Sequence, residues 1–373
     1  MISVAEIWQG IEEIAGYLKR DEFPPIFEKF FVRRPWEDLI LLNYKDAANY
    51  EFSGDDWTPA MRVCRGIVLA KSDCRVISFP FHKFFNLNEA TETRAQNVAQ
   101  WSIRAVTEKL DGVMLQIFRW KGELVWASRH GIWSNASVDA YKVGADAIKK
   151  IFPEKGEWTL ICEFIHPAHR RAGMVNYGDL VVIGLLYLRN LETLELVPAV
   201  EKFDNDLPNP LILPQQYPVT TFWEAHELVK SARTRQWEGV VLQGSGELGN
   251  WLVKIKNPLY LDVLALLKSA NRILSVYERS GMDGVNDLLL TCKEILDDVP
   301  EIKNLKLELE RTEREVVDYC LRLRERDINE IEPTMRWVKT YEVGSEKWNK
   351  TVRQIVIRTV REKRRDKDAF KRP

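Results

Sequence analysis

Residues 107 to 112 read TEKLDG, and the apolar run VMLQIFR that follows is typical of a buried strand. Lys109 therefore stands at the mouth of a predicted strand, two residues before an Asp-Gly pair that commonly reverses a chain. A lysine is a nucleophile only when deprotonated, and at its free pKa of about 10.4 almost none is deprotonated at neutral pH. Lys-x-Asp-Gly alone indicates little, because its chance occurrence in a chain of this length is roughly one in ten.

A second group of lysines lies near the end of another predicted strand. Lys254 and Lys256 alternate with Val253 and Ile255, so the two ammonium groups project from one face of the strand. Such a pair of like charges is either solvated, which is the usual case, or holds one polyanion. If Lys109 faces the same anion, its cationic neighbours are expected to lower its pKa, as a lysine nucleophile requires.

Glu163 is a charged residue in an otherwise apolar setting. It follows WTLIC, a run whose side chains are expected to be buried. Charged side chains are rarely buried unless they are paired or functional. The sequence leaves two interpretations open, a structural salt bridge and a carboxylate that points into a site.

Composition limits the class of protein. The chain has 373 residues, 45% of them hydrophobic, and a formal net charge of −1, so nucleic-acid binding must come from a local basic groove. No segment predicts a signal peptide or a membrane helix, so we expect no membrane association. The cysteines are odd in number and form no C-x-x-C pair, which argues against disulfides and a zinc site and favours the cytoplasm of a bacterial, archaeal or phage-infected cell. They are Cys64, Cys74, Cys162, Cys292 and Cys320.

Three textures follow one another along the chain. Residues 3–18 combine a capping box with apolar residues at helical spacing and predict an amphipathic helix. From about residue 38 to residue 260, short apolar runs alternate with turn residues, which predicts an α+β domain built on antiparallel sheets. The remainder has a helical period amid dense charge. We therefore predict a domain of residues 1–262 and an all-helical C-terminal domain of residues 263–373.

The charged stretches occur in a recognisable order. KLDG, SRHG, CEF, WEG and KIK resemble the ordered motifs of the covalent nucleotidyltransferases, the superfamily of ATP-dependent ligases and capping enzymes. CRGIVLA, FHKFFNLNEA, EFIHP and KIKNPLY are similar to stretches of the phage RNA ligase 1 family. The resemblance covers about residues 38–262 and fades in the helical part. It implies an antiparallel-sheet adenylyltransferase domain.

The resemblance implies roles for individual residues. Lys109, within the motif that includes Asp111, attacks the α-phosphorus of ATP and carries AMP. Lys254 and Lys256 match a catalytic, phosphate-binding pair, and Glu238 matches a ligand of Mg²⁺ or Mn²⁺. The other implied nucleotide-binding residues are Glu163 at the ribose, Gly112 beside the sugar, Arg65, Lys83 and Arg129 near the triphosphate, and Phe85, Tyr177 and Tyr260 as candidates for the adenine face.

The implied reaction joins 5′-phosphate and 3′-hydroxyl ends of single-stranded RNA through lysyl-AMP and an RNA-adenylate. Cleaved tRNA is a candidate source of such ends, and a polynucleotide kinase is a candidate functional partner by family analogy. One alternative keeps the chemistry but acts on DNA ends or mRNA caps; the predicted helices after residue 262, in place of an OB-fold, count against it. The other is an inactive nucleic-acid-binding relative, which should have lost charged site residues, and none is visibly missing.

Overall fold

The structure is a computed structural model. It describes residues 2–170, 175–234, 236–246, 249–261, 277, 280–286, 304, 306–311 and 314. Contacts divide the chain into two compact units, Met1–Tyr260 and Leu261–Pro373. Within the described residues, no helix is long and apolar enough to cross a membrane.

Helix α1, Val4–Arg20, begins at the capping box that the sequence predicts. The backbone N–H of Ser3 donates to Glu6 Oε2 at 2.7 Å, and the Glu6 N–H donates to Ser3 Oγ at 3.2 Å. The helix ends at Asp21, whose left-handed backbone (φ 50°) stops the helical hydrogen bonding. Its apolar stripe is buried through Ile7, Ile11 and Ile14.

The other helices of the described residues are mostly short. Only α6 matches α1 in length, and its alanine-rich face packs on a sheet. The bounds are α2 Pro25–Phe30, α3 Ala48–Glu51, α4 Pro59–Val63, α5 Ala95–Val98, α6 Asn135–Ile151, α7 Ala199–Lys202 and α8 Phe222–Lys230. Single 3-10 turns occur at Gly54–Asp56, Thr91–Thr93 and Pro167–His169.

The first sheet has the order β1-β2-β3-β4, and every pairing in it is antiparallel. β2 and β3 lie in the region from about residue 38 where short apolar runs predict strands, whereas β1 lies before that region. Its strands are β1 Phe31–Trp36, β2 Leu39–Tyr44, β3 Arg65–Ala70 and β4 Val76–Ser78.

The second sheet has the order β11-β10-β9-β6-β7-β8, with β12 added in parallel to β10. Its central strand β9 is buried on both faces: Leu160 and Cys162 pack in the cluster that contains α6, and Ile161 packs in another. Glu163 shares the face of Ile161 because side chains alternate along a strand. The strands are β6 Val113–Trp120, β7 Glu123–Ser128, β8 Gly131–Ile132, β9 Trp158–Ile165, β10 Val182–Asn190, β11 Leu196–Pro198 and β12 Leu211–Ile212.

The third sheet is antiparallel, with the order β14-β13-β5. Its strands are β5 Ser102–Glu108, β13 Gly239–Gly246 and β14 Gly249–Lys256. Residues 109–112 therefore connect β5 of this sheet to β6 of the second sheet. The Asp-Gly pair does not close a hairpin, because β5 and β6 pair with different strands.

Mixed helices and antiparallel sheets are thus confirmed as the architecture of the first unit. In the second unit, residues 280–286 and 306–311 are helical. Most of the predicted all-helical domain, residues 263–373, lies outside the described residues.

Candidate active site

A cavity of about 440 Å³ opens where the second and third sheets meet. Residues of β5, β13 and β14 line it together with residues of β3, β6, β9 and β10. It brings together most of the residues singled out from the sequence, although these are far apart along the chain. Those that line it are Arg65, Lys109, Asp111, Gly112, Arg129, Glu163, Glu238, Lys254, Lys256 and Tyr260.

Lys109 is held at the end of β5 by its backbone and by its side chain. Its N–H donates to the carbonyl of Gly239 at 2.9 Å, and its Nζ lies 2.5 Å from Glu238 Oε2. Burial alone would lower the pKa of Lys109, but the carboxylates of Glu238 and Glu163 outweigh burial and raise it. The expectation that cationic neighbours lower the pKa of Lys109 is therefore wrong, because the carboxylate of Glu238 lies closer to its amine than the other cations do.

Glu238 is the counter-ion of two lysines. It precedes β13, is only 3% exposed, and accepts a second contact from Lys256 Nζ at 2.8 Å. Burial would raise its pKa, but Lys109 and Lys256 reverse that effect, so the pKa lies below its ordinary value. The carboxylate is therefore ionised at neutral pH, and both of its oxygens are engaged.

Lys254 and Lys256 line the cavity from one face of β14, while Val253 and Ile255 pack in the core on the other face. This geometry is the one that the period-two pattern predicts. The two lysines differ in environment, because no hydrogen bond or ion pair of the Lys254 side chain is found among the described residues. Its Nζ lies 4.4 Å from the centre of the Phe84 ring.

The pKa of Lys254 lies well below its ordinary value. Burial is the main cause, and the positive charges of Arg65, Lys109 and Lys83 add to it. A lysine with a lowered pKa therefore exists in the cavity, but at Lys254 instead of Lys109.

Glu163 extends from β9 toward the turn formed by residues 109–112. Its Oε1 accepts the backbone N–H of Gly112 at 3.0 Å, and burial raises its pKa to about 7. A Cβ at Gly112 would lie 2.9 Å from the carbonyl carbon of Phe164. Glycine therefore allows the turn to approach β9 closely, without any need for a positive φ.

Asp111 organises the same turn. Its Oδ2 accepts the N–H of Val175 at 2.9 Å and the hydroxyl of Tyr260 at 2.8 Å, and its own N–H donates to Tyr177 Oη at 3.1 Å. Burial raises the pKa of Asp111, and the charge of Glu238 adds to the rise. The hydroxyls of Tyr177 and Tyr260 therefore both hold the turn. Tyr177 does not line the main cavity but borders a smaller one, which shares Asp111 and Gly112 with it.

The three basic residues expected near a triphosphate are not placed alike. Arg65 and Arg129 line the cavity, and Arg129 pairs with Asp46 at 3.2 Å. Lys83 is not among the lining residues; its Nζ donates to Asn49 Oδ1 at 2.8 Å and is 4.7 Å from the centre of the Trp57 ring. Lys83 therefore acts on the cavity through its charge.

Phe85 is also placed differently from the prediction. It is fully buried in the core cluster that contains α1, and its carbonyl accepts the N–H of Lys254 at 3.2 Å. The ring consequently does not face the cavity. Phe81 and Phe84 line it instead, and both were missed by the sequence interpretation, although Phe84 stands between the two residues singled out in FHKFF.

Among the described residues, no group of three His, Cys, Asp or Glu side chains is placed to hold a metal. His166 and His169 lie close together in the sequence, but each has a structural partner. His169 pairs with Asp139 at 3.0 Å, and His166 Nδ1 accepts the N–H of Ala168. The carboxylates that reach the main cavity are Glu108, Asp111, Glu163 and Glu238.

Chemically, the cavity combines an amine, a carboxylate next to it, and a cluster of cations. The cations suit a polyphosphate, because several positive charges can neutralise adjacent phosphate groups. The amine of Lys109 is a competent nucleophile once it loses its proton. If the carboxylate of Glu238 moved away from Lys109, the amine would lose its proton more readily. Burial, which lowers the pKa of Lys109, would then be its largest influence.

Comparison with known proteins gives matches over the same part of the chain. A family model described as RNA ligase matches residues 63–260. RNA ligase 1 of bacteriophage TS2126 is 36% identical over 183 residues, which cover 46% of this chain and 44% of the phage protein. The match thus spans less than half the length of that relative.

Solved structures are more distant. An archaeal ATP-dependent RNA ligase is 15% identical with a TM-score of 0.43, covering 76% of this chain and 74% of the other. A Naegleria gruberi RNA ligase mutant with AMP and Mn is 15% identical with a TM-score of 0.34, covering 45% and 55%. With TM-scores below 0.5, neither likeness bears on function.

Proposed function

The chain belongs to the RNA ligase family of the phage RNA ligase 1 type, and on that premise we propose that it is an ATP-dependent RNA ligase. It joins 5′-phosphate and 3′-hydroxyl ends of single-stranded RNA through lysyl-AMP and RNA-adenylate intermediates. The observation that carries the proposal is the cavity in which Lys109, Glu238, Lys254 and Lys256 converge.

In the first step, the Nζ lone pair of Lys109 forms a bond to the α-phosphorus of ATP. The bond between the α-phosphorus and its bridging oxygen breaks, and pyrophosphate leaves with the electron pair. The ammonium of Lys109 must lose its proton beforehand, and Glu238 Oε2, 2.5 Å away, is the nearest acceptor. Lys254, Lys256 and Arg65 neutralise charge on the phosphates, so positioning and electrostatics supply most of the catalysis.

Two transfers complete the reaction. An oxygen of the RNA 5′-phosphate attacks the phosphorus of AMP, the P–N bond breaks, and Lys109 regains a proton. The 3′-hydroxyl then attacks the 5′-phosphorus of the RNA, loses its proton, and displaces AMP. Glu163 fits a ribose hydroxyl, because its carboxyl group is fixed beside Gly112 and no hydrogen bond of its second oxygen is found within the described part of the chain.

Mg²⁺ or Mn²⁺ is the metal that this chemistry implies. Glu238 would hold it together with phosphate oxygens, since carboxylate oxygen is the donor that such cations prefer. When bound, the cation would neutralise phosphate charge and polarise the phosphoryl group. Lys109 and Lys256 contact the two oxygens of Glu238, so these contacts would have to rearrange for Glu238 to hold a metal.

The natural RNA and the functional partner are proposed by family analogy. Cleaved tRNA is the proposed source of RNA ends, and a polynucleotide kinase that supplies 5′-phosphates is the proposed partner. We assign adenylylation to residues 1–262 and substrate choice to residues 263–373. The division rests on two features of the sequence. The last of the ordered nucleotidyltransferase motifs, KIK, ends at Lys256, and the pattern of short apolar runs gives way to a helical period just beyond it.

One experiment separates the proposal from its alternatives. The protein is incubated with magnesium and α-labelled ATP or GTP, then resolved by denaturing electrophoresis, with and without 5′-phosphorylated RNA. We expect label from ATP to stay on the protein and to pass to RNA that is subsequently sealed. Label from GTP alone would indicate a capping enzyme, and no label would indicate an inactive relative that binds nucleic acid.

A further inference from the structure

Four of the cations that line the cavity, Arg65, Lys109, Lys254 and Lys256, are stabilised in two different ways. Lys109 and Lys256 are paired with the carboxylate of Glu238. Arg65 and Lys254 have no ion pair among the described residues, and both lie against aromatic rings. Phe84 is common to the two, at 4.4 Å from Lys254 Nζ and 5.6 Å from the guanidinium carbon of Arg65.

The position of Phe84 is fixed by neighbouring backbone. Lys254 donates its N–H to the carbonyl of Phe85 and accepts the N–H of Leu87 at 2.8 Å, so residues 85–87 run beside β14. The Phe84 ring is 7% exposed and packs against the ring of Phe81, with centres 5.4 Å apart and planes at 61°. The ring is therefore an ordered part of the cavity wall.

A ring and a carboxylate have different consequences for a cation. A carboxylate neutralises the positive charge that it stabilises, whereas the face of a ring attracts the cation and carries no net charge. Lys254 is faced by Arg65, Lys109 and Lys83, all of which disfavour its ammonium form, and Glu89 is the carboxylate that opposes them. The Phe84 ring supports the ammonium without reducing the positive potential offered to a ligand.

We propose that Phe84 is a positioning residue that keeps Lys254 charged and directed into the cavity, where it receives the triphosphate of ATP or the released pyrophosphate. This rests on the proposed function for the identity of the ligand. The contact itself rests on the geometry of Phe84, Lys254 and Arg65.

The proposal has a signature in pH. Because the pKa of Lys254 is low in the free protein and a bound polyphosphate would raise it, binding should take up a proton at alkaline pH. Polyphosphate affinity should therefore fall as pH rises above the pKa of the free protein. Loss of the ring lowers that pKa further, so the decline begins at a lower pH. At a pH below both values, Lys254 is charged in either case and the variant should bind almost normally.

Calorimetric titration with inorganic pyrophosphate tests this directly. We compare wild type, Phe84→Leu and Phe84→Tyr at two pH values, near the acid and alkaline limits within which the protein stays folded, counting protons in buffers of different ionisation enthalpy. Phe84→Leu should bind roughly 2- to 30-fold more weakly at the higher pH, the range expected for one cation–π contact, and Phe84→Tyr should bind like wild type. Phe152→Leu is the matched control, because Phe152 is equally buried but belongs to the cluster around α6.

A second measurement covers the case in which Phe84→Leu does not fold. Fluorinated phenylalanines at position 84 keep nearly the shape of the ring but reduce the negative potential on its face. The affinity for pyrophosphate at alkaline pH should fall with each added fluorine. A loss that is equal at both pH values, or that does not follow fluorination, or absence of pyrophosphate binding by wild type, would overturn the proposal. Adduct formation from labelled ATP is measured on the same samples. A pH-dependent Phe84 effect in a protein that forms no adduct would reject the ligase and keep this inference.

Discussion

Replacing Glu238 by glutamine removes one negative charge from between two ammonium groups and keeps the size of the side chain. In the wild type, Glu238 accepts contacts from Lys109 at 2.5 Å and Lys256 at 2.8 Å. Glutamine has one oxygen and one amide nitrogen, so it can accept from one lysine and must turn a donor toward the other. The substitution should therefore weaken the fold. It should also slow the chemistry, because it removes the nearest proton acceptor of Lys109 and the proposed ligand of the metal.

The size of the loss follows from burial. Removing one partner of a buried ion pair costs about 3–5 kcal/mol. The side chains of Lys109 and Lys256 are 21% and 20% exposed, so water screens part of that loss. We expect the free energy of unfolding to fall by about 2–4 kcal/mol at neutral pH, and adduct formation to slow by about 10²- to 10³-fold.

The loss of stability should depend on pH. The pKa of Glu238 is lowered, so its contribution is present above the ordinary value of 4.5 and is lost as pH falls through the folded-state pKa. The pKa of Lys109 is raised, so its contribution is present below the ordinary value of 10.5 and is lost as pH rises through the folded-state pKa. The difference between wild type and Glu238→Gln should be full between those two values and shrink outside them.

Urea unfolding across this pH range measures the stability difference, and single-turnover labelling with α-labelled ATP measures the chemistry. Glu201→Gln is the control, because Glu201 pairs with Arg104 at 2.8 Å but is 32% exposed. It should cost less than about 1 kcal/mol. A Glu238→Gln protein as stable as wild type, or one with near-normal labelling in magnesium, would refute the role given to Glu238.

Three further outcomes are expected. Tyr260→Phe should reduce the free energy of unfolding by about 1.5–3 kcal/mol and Tyr177→Phe by about 0.5–1.5, because Tyr260 donates to the charged carboxylate of Asp111 and Tyr177 accepts from its backbone; urea unfolding measures both. Gly112→Ala should cost about 1–3 kcal/mol and slow labelling, since its Cβ would meet the backbone of β9. A chain ending near residue 265, once its folding is verified by circular dichroism, should still form the AMP adduct, and failure to do so would contradict the proposed division of labour.

Many strands of the fold can be predicted from apolar runs in the sequence. RGIVLA coincides with β3, and WTLICEF lies within β9, because continuous apolar runs are typical of strands buried on both faces. β1, FVRRPW, was missed because three of its six side chains are exposed. The Asp-Gly pair in the link from Lys109 to Gly112 is of a type that commonly reverses a chain between strands, but this link joins two different sheets. Its true partners, β9 and β13, are distant in sequence, so local turn chemistry could not reveal them.

The sequence predicts the site correctly where a single strand determines which way the side chains point. The shared face of Lys254 and Lys256 follows from period two within β14. The pKa of Lys109 was assigned the wrong direction, because it depends on which distant group comes closest, and that group is Glu238. Phe84 was overlooked for a similar reason, since Phe85 next to it is equally aromatic and only tertiary packing decides which ring faces the cavity.

The most direct test of the central claim, covalent catalysis by Lys109, uses Lys109→Ala with two substrates on one preparation checked by circular dichroism. The variant should form no adduct from ATP, because the nucleophile is absent. With RNA that already carries a 5′-adenylyl group it should still seal some ends, since Glu163, Glu238, Lys254 and Lys256 remain. Normal adduct formation by the folded variant would contradict the covalent mechanism.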